Sequence, residues 1–121
     1  MYEVMVERHF AAAHFLENYV GLCANMHGHN YKVQLFVQGE TLNPDNGILI
    51  DFKDLKYHLD QLIDQLDHKV LNEVLDIQTT AECLAKYFFE KMNKHIPDEY
   101  ALRKVTIWES DTCSASYING Y

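Results

Sequence analysis

The chain reads as an α+β fold: a four-stranded antiparallel sheet with two helices on one face, in the order strand, strand, helix, helix, strand, strand. Three observations predict it. Apolar residues alternate with polar ones over two long segments before residue 40, the period becomes helical from Asp51 onward, and alternation returns after Pro97.

The first strand runs from Tyr2 to His14. Tyr2, Val4, Val6, Phe10 and Ala12 share one parity, while Glu3, Glu7 and His9 share the other. Residues 15–26 hold Asn18, Gly21 and Asn25 and read as a loop. In the next stretch His29, Tyr31, Val33, Leu35 and Val37 alternate with Asn30, Lys32, Gln34 and Gln38, a second strand expected to pair with the first. The Gly, Pro and Asn content of residues 39–47 marks a turn.

Phe52, Leu55, Leu59, Leu62, Ile63 and Leu66 then fall at helical spacing, which predicts a helix capped by Asp51 and ending near Asp67. Thr79 and Glu82 fit a Ser/Thr-x-x-Glu capping box. They predict a second helix with Leu84, Ala85, Phe88, Phe89 and Met92 as its buried stripe, stopped before Pro97. Ala101–Glu109 and Cys113–Tyr117 read as two closing strands. One face of the sheet would carry Met5, Phe36, Trp108 and Ile118 among Lys32, Gln34 and Thr106, too apolar for plain solvent surface, so an oligomer is expected.

Length and charge narrow the function classes. A chain of 121 residues is read as a single domain spanning 1–121, with no repeat, linker or low-complexity stretch. Ten basic against eighteen acidic side chains give a net charge of -8, which disfavours nucleic acid and anionic membrane as partners. No stretch approaches the roughly 18 apolar residues of a membrane span, and acidic residues stand where a secretory signal needs a basic start. Three cysteines cannot all pair, so a reducing, cytoplasmic setting is expected, and Cys83 and Cys113 read as small buried residues.

The chemistry gathers in the stretch CANMHGHNYKV, residues 23–33. Residues two apart on a strand project from one face, so His27 and His29 point with Tyr31 and Val33, and His14 shares the apolar parity of the first strand. Three imidazoles facing one another inside an apolar rim would be poorly solvated and mutually repulsive when charged, whereas a divalent cation satisfies all three lone pairs. A three-histidine set favours zinc with an open position for water or substrate. Gly28 would let the backbone approach the metal or bend there. Cys23 either closes a His₃Cys site or stays off the metal as a base with a lowered pKa, and spacing alone leaves both open.

Several ordered motifs carry a family resemblance: Phe10-x-x-x-His14, Cys23-x-x-x-His27-Gly28-His29, Gly47-x-x-x-Asp51-Phe52, Leu66-Asp67-His68-x-x-Leu71-Asn72, Thr80-Ala81-Glu82 and Glu109. Together they resemble the 6-pyruvoyl-tetrahydropterin synthase family over nearly the whole chain. The three-residue spacer between Cys23 and His27 is similar to the bacterial branch that makes 6-carboxy-5,6,7,8-tetrahydropterin in queuosine biosynthesis. The resemblance implies a tunnelling fold, with trimers stacked as a homohexamer, and a zinc enzyme acting on 7,8-dihydroneopterin triphosphate.

By the same resemblance His14, His27 and His29 hold the zinc and Cys23 removes a proton as a thiolate. Asp67 and His68 serve as relay partners, and Glu109 anchors the pterin through two hydrogen bonds. Without the resemblance, Asp67 and His68 read as a helix-end charge and a surface histidine. Thr79-Thr80-Ala81-Glu82-Cys83 departs from the Pro-Thr-x-Glu-Asn common in relatives, and Ser110 stands where Thr is common. His9, His58 and His95 show no partners by spacing.

Overall fold

The computed structural model describes residues 1–120. Strands β1 (Tyr2–His14) and β2 (His27–Gly39) form the long hairpin that the alternation predicts. They are antiparallel and in continuous register from Tyr2↔Gly39 to His14↔His27. Between them, residues 22–24 make a single turn of 3₁₀ helix. Helix α1 (Phe52–Asp64) starts where expected: the Asp51 side chain accepts the Lys53 N–H at 2.9 Å. It buries Leu55, Leu59, Leu62 and Ile63, but Phe52 is half exposed. The helix ends three residues before Asp67, and a tightened turn carries the chain through Leu66.

The sheet differs from the four antiparallel strands predicted. Lys69–Val70 form a short strand, β3, parallel to β1 at Ala12 and Ala13, and a one-turn helix α2 (Leu71–Val74) comes directly after it. Helix α3 (Ala81–Asn93) and the strands β4 (Ala101–Ser110) and β5 (Cys113–Ile118) complete a five-stranded mixed sheet of order β3-β1-β2-β4-β5. A two-residue strand and a single helical turn are shorter than any period that hydrophobicity can display, so neither is visible in the sequence.

The N-cap of α3 is also displaced. Thr80, not Thr79, accepts the Cys83 N–H, at 3.1 Å, so the Thr79–Glu82 box does not form and Glu82 stands exposed. The buried stripe of α3 is the predicted one extended to Ala81. It packs with α1 on the sheet face that carries Val6, Phe10, Tyr31, Val33, Leu35, Val105 and Ile107. Phe10 links the layers, stacked on Tyr31 at 4.9 Å and tilted against Phe88 at 5.9 Å.

On the opposite face Met5 and Ile118 are exposed, and Lys32 and Lys104 lie over the rings of Trp108 and Phe36. A hydrogen-bond chain runs from Trp108 Nε1 to Gln34 and from Gln34 to Glu7. Cys83 is half-buried, and Cys113 is exposed, contrary to expectation, because β5 is an edge strand. None of the described helices is long and apolar enough to cross a membrane.

Candidate metal centre

The hairpin places the three histidines by count alone. His14 ends β1 directly opposite His27, and His29, two residues on, lies opposite the small Ala12 on the same face. The rings meet edge to face, with centroids 4.6 Å apart for His14 and His27, 5.0 Å for His14 and His29, and 4.8 Å for His27 and His29. One ligand nitrogen from each falls within 4.8 Å of the other two. Gly28 takes no part. By alternation it faces the other side of the sheet, and a Cβ there would meet only the Ala12 carbonyl oxygen, at 3.8 Å.

Hydrogen bonds fix two of the rings. His14 Nδ1 donates to the Thr79 carbonyl at 2.7 Å, and His27 Nδ1 donates to the Asn25 carbonyl at 2.7 Å. A neutral ring that donates from Nδ1 carries a bare lone pair on Nε2. The two Nε2 atoms nevertheless face one another at 3.0 Å. His29 Nε2 is buried and has no hydrogen-bond partner among the described residues.

Burial lowers the pKa of His14 despite its bond to Thr79, and lowers that of His29 despite the nearby Glu109 carboxylate. His14 and His29 thus resist protonation, and the ligand nitrogens of the three rings converge with no donor among the described residues placed between them. A divalent cation resolves that conflict. Tetrahedral zinc bonds of about 2.1 Å put nitrogens about 3.4 Å apart, near the 3.0 Å between the His14 and His27 Nε2 atoms and inside the 4.8 Å that bounds the set, and the all-imidazole donor set suits zinc.

Glu109 adjoins this cluster. It is the extra residue of a bulge in β4, since Trp108 pairs with Ser114 and Ser110 with Cys113. Its carboxylate lies 4.0 Å from His29 Nε2. Tyr31, whose ring touches both His14 and His29, has a buried hydroxyl with no partner among the described residues; burial, and secondarily Glu109, raise its pKa.

Cys23 and the Asp67–His68 pair are not brought into this cluster. Cys23 is exposed in the 3₁₀ turn and is absent from the metal-competent group. Asp67 Oδ2 lies 3.0 Å from His68 Nδ1, its Oδ1 accepts the Ala11 N–H at 2.9 Å, and the His68 N–H returns to the Ala11 carbonyl at 2.6 Å. These bonds, the backbone one first, lower the Asp67 pKa. His68 itself has a left-handed backbone, φ 59°, and an exposed ring beside Ala11, Ala13, Gly28 and Asn30, on the outer face of the sheet.

Sequence reasoning missed Thr79 as the acceptor for His14, because a backbone carbonyl leaves no mark on residue identity. It also missed the stack of His58 on His95, centroids 4.0 Å apart, which joins α1 to the end of α3. That stack borders a cleft of about 500 Å³ whose lining includes none of the three clustered histidines.

A family model described as 6-pyruvoyl tetrahydropterin synthase matches residues 3–119. The chain is 33% identical to 6-carboxy-5,6,7,8-tetrahydropterin synthase of Synechocystis sp., over 98% of this chain and 95% of that protein. It is 31% identical to dihydroneopterin monophosphate aldolase of Pyrococcus furiosus, over 84% of each. Among solved structures, 6-pyruvoyl tetrahydropterin synthase of Caenorhabditis elegans superposes with a TM-score of 0.82 at 31% identity, over 99% of this chain and 98% of that one.

Proposed function

The chain belongs to the 6-pyruvoyl tetrahydropterin synthase family, and from that premise we propose that it converts 7,8-dihydroneopterin triphosphate and water to 6-carboxy-5,6,7,8-tetrahydropterin with loss of triphosphate and acetaldehyde, a step toward 7-deazaguanines such as queuosine. The observation that carries the reading is the set of three imidazoles whose ligand nitrogens cluster within 4.8 Å of one another, bordered by one carboxylate. Zinc held by His14, His27 and His29 would supply Lewis acidity toward the oxygens of the substrate side chain.

The remaining chemistry falls to the chain's own groups. Glu109 offers two acceptor oxygens to the pterin ring N–H and amino group, a charge-assisted pair that fixes which edge enters. Cys23 takes the proton from the side-chain carbon, and its exposed turn leaves the thiol open to substrate. Asp67 orients His68 for proton return. In the cytoplasmic homohexamer that this reading includes, the exposed His68 of one copy is available to the site of another.

Two features favour the carboxy product over the pyruvoyl one: the three-residue spacer before His27, and the near-complete two-way coverage of the Synechocystis relative. Mass spectrometry of the product formed from 7,8-dihydroneopterin triphosphate tests it. A carboxylated pterin is expected. A pyruvoyl pterin would select the synthase reaction of the Caenorhabditis relative, and a hydroxymethyl pterin in a parallel reaction supplied with dihydroneopterin monophosphate would select an aldol cleavage. Zinc uptake without turnover would leave a non-enzymatic zinc protein. Cys23→Ala serves as the control: it should keep its zinc and lose turnover, and loss of the metal would instead favour a closed His₃Cys site.

A further inference from the structure

Asn72 carries no part in the chemistry above, yet its side chain does for Phe15 what a neighbouring strand would do. The Phe15 N–H donates to Asn72 Oδ1 at 3.0 Å, and Asn72 Nδ2 donates to the Phe15 carbonyl at 3.0 Å. Phe15 is the first residue beyond the ladder, because β1 pairs with β2 only as far as His14 and with β3 only at Ala12 and Ala13. Thr79, which is 1% exposed, closes the knot. Its hydroxyl lies 3.3 Å from the Phe15 carbonyl oxygen and 3.4 Å from Asn72 Oδ1, while its own carbonyl takes the His14 Nδ1–H. One network therefore grips both the backbone next to His14 and the His14 ring.

Building on the metal reading of the three histidines, we propose that Asn72 and Thr79 are positioning residues that set the orientation and tautomer of His14 and, through it, the zinc affinity of the site. A ring held with its proton on Nδ1 presents the Nε2 lone pair without first giving up rotational freedom or an alternative tautomer. Outer partners of this kind govern affinity strongly when removed. The side-chain types are specific. A leucine at 72 would match the shape of Asn72 and leave both Phe15 groups unpaired, and a valine at 79 would keep the volume and the carbonyl but lose the hydroxyl.

The test is chelator competition for zinc on the full chain, comparing wild type with Asn72→Leu, Thr79→Val and Thr79→Ser. Asn72→Leu and Thr79→Val should bind zinc about tenfold to a hundredfold more weakly, and Thr79→Ser, which restores the hydroxyl, should stay within about twofold of wild type. Imidazole NMR of the zinc-free protein should show His14 protonated on Nδ1 in wild type and, in Thr79→Val, where the carbonyl remains but is no longer anchored by the hydroxyl, a second population protonated on Nε2. Wild-type affinity in both disrupted variants would overturn the positioning role while leaving the metal reading intact. Should Asn72→Leu fail to fold, Thr79→Val alone decides. A wild-type protein that takes up no zinc in the same assay would overturn the metal reading itself, and the proposal with it.

Discussion

His14 and His29 lose basicity to burial, and that loss fixes how the zinc-free protein responds to acid. His95 shifts the same way, through burial first and then through charge repulsion from His58 and Lys94. A histidine whose folded pKa lies below its ordinary 6.5 binds fewer protons folded than unfolded. Its contribution to stability is therefore complete above about pH 6.5 and is lost as pH falls through the folded value. The urea midpoint of chelator-treated protein should hold steady at neutral pH and begin to fall as pH drops below about 6.5, above the range where Asp67 and Glu7 act. A flat midpoint across that range would contradict the burial argument. The trio itself is legible in the sequence, since parity and an i, i+2 spacing suffice to aim three side chains. The partners that fix which ring nitrogen donates, the carbonyls of Thr79 and Asn25, are not, because any residue type supplies a carbonyl.

The start of α3 shows an element settled by its neighbours. Two adjacent threonines offer two caps, and the sequence favours Thr79 because Glu82 completes a box with it. In the fold, the Thr79 hydroxyl is engaged by Phe15 and its carbonyl by His14, so the cap passes to Thr80 and its bond to the Cys83 N–H. Thr80→Ala should cost about 1 kcal/mol in a urea titration, whereas Glu82→Ala should be close to neutral. The reverse order would restore the Thr79 box. A local signal against a long-range one also separates the elements that could be foreseen from those that could not. α1, α3 and the four long strands carry enough turns or alternations to declare a period, and Asp51 caps α1 with a local side chain. β3 and α2 exist because the chain after Leu66 is latched to Ala11 through Asp67 and His68, a long-range arrangement without local signature.

Over the whole molecule, the helices cover one face of the sheet and leave the other with Met5, Phe36, Trp108 and Ile118 under a thin polar screen. Among the described residues β1 has no strand beside it from Tyr2 to Ala11 on the side away from β2, and β5 forms the far edge. Two open edges of this length favour joining between copies. For the homohexamer that the family resemblance implies, sedimentation should show a particle of six times the 14.1 kDa chain, and a monomer at micromolar concentration would refute the assembly. The long hairpin also separates two poles by roughly 40 Å, thirteen residues at about 3.3 Å each. The histidines occupy one. Tyr2 lies level with Gly39 at the other, and β5 runs toward that same pole, with Ile118 level with Lys104. Geometrically, then, both ends of the described chain are handles: a purification tag, a surface anchor or a short bridge making a circular permutant can be attached there with most of the length of the sheet between it and the histidine pole.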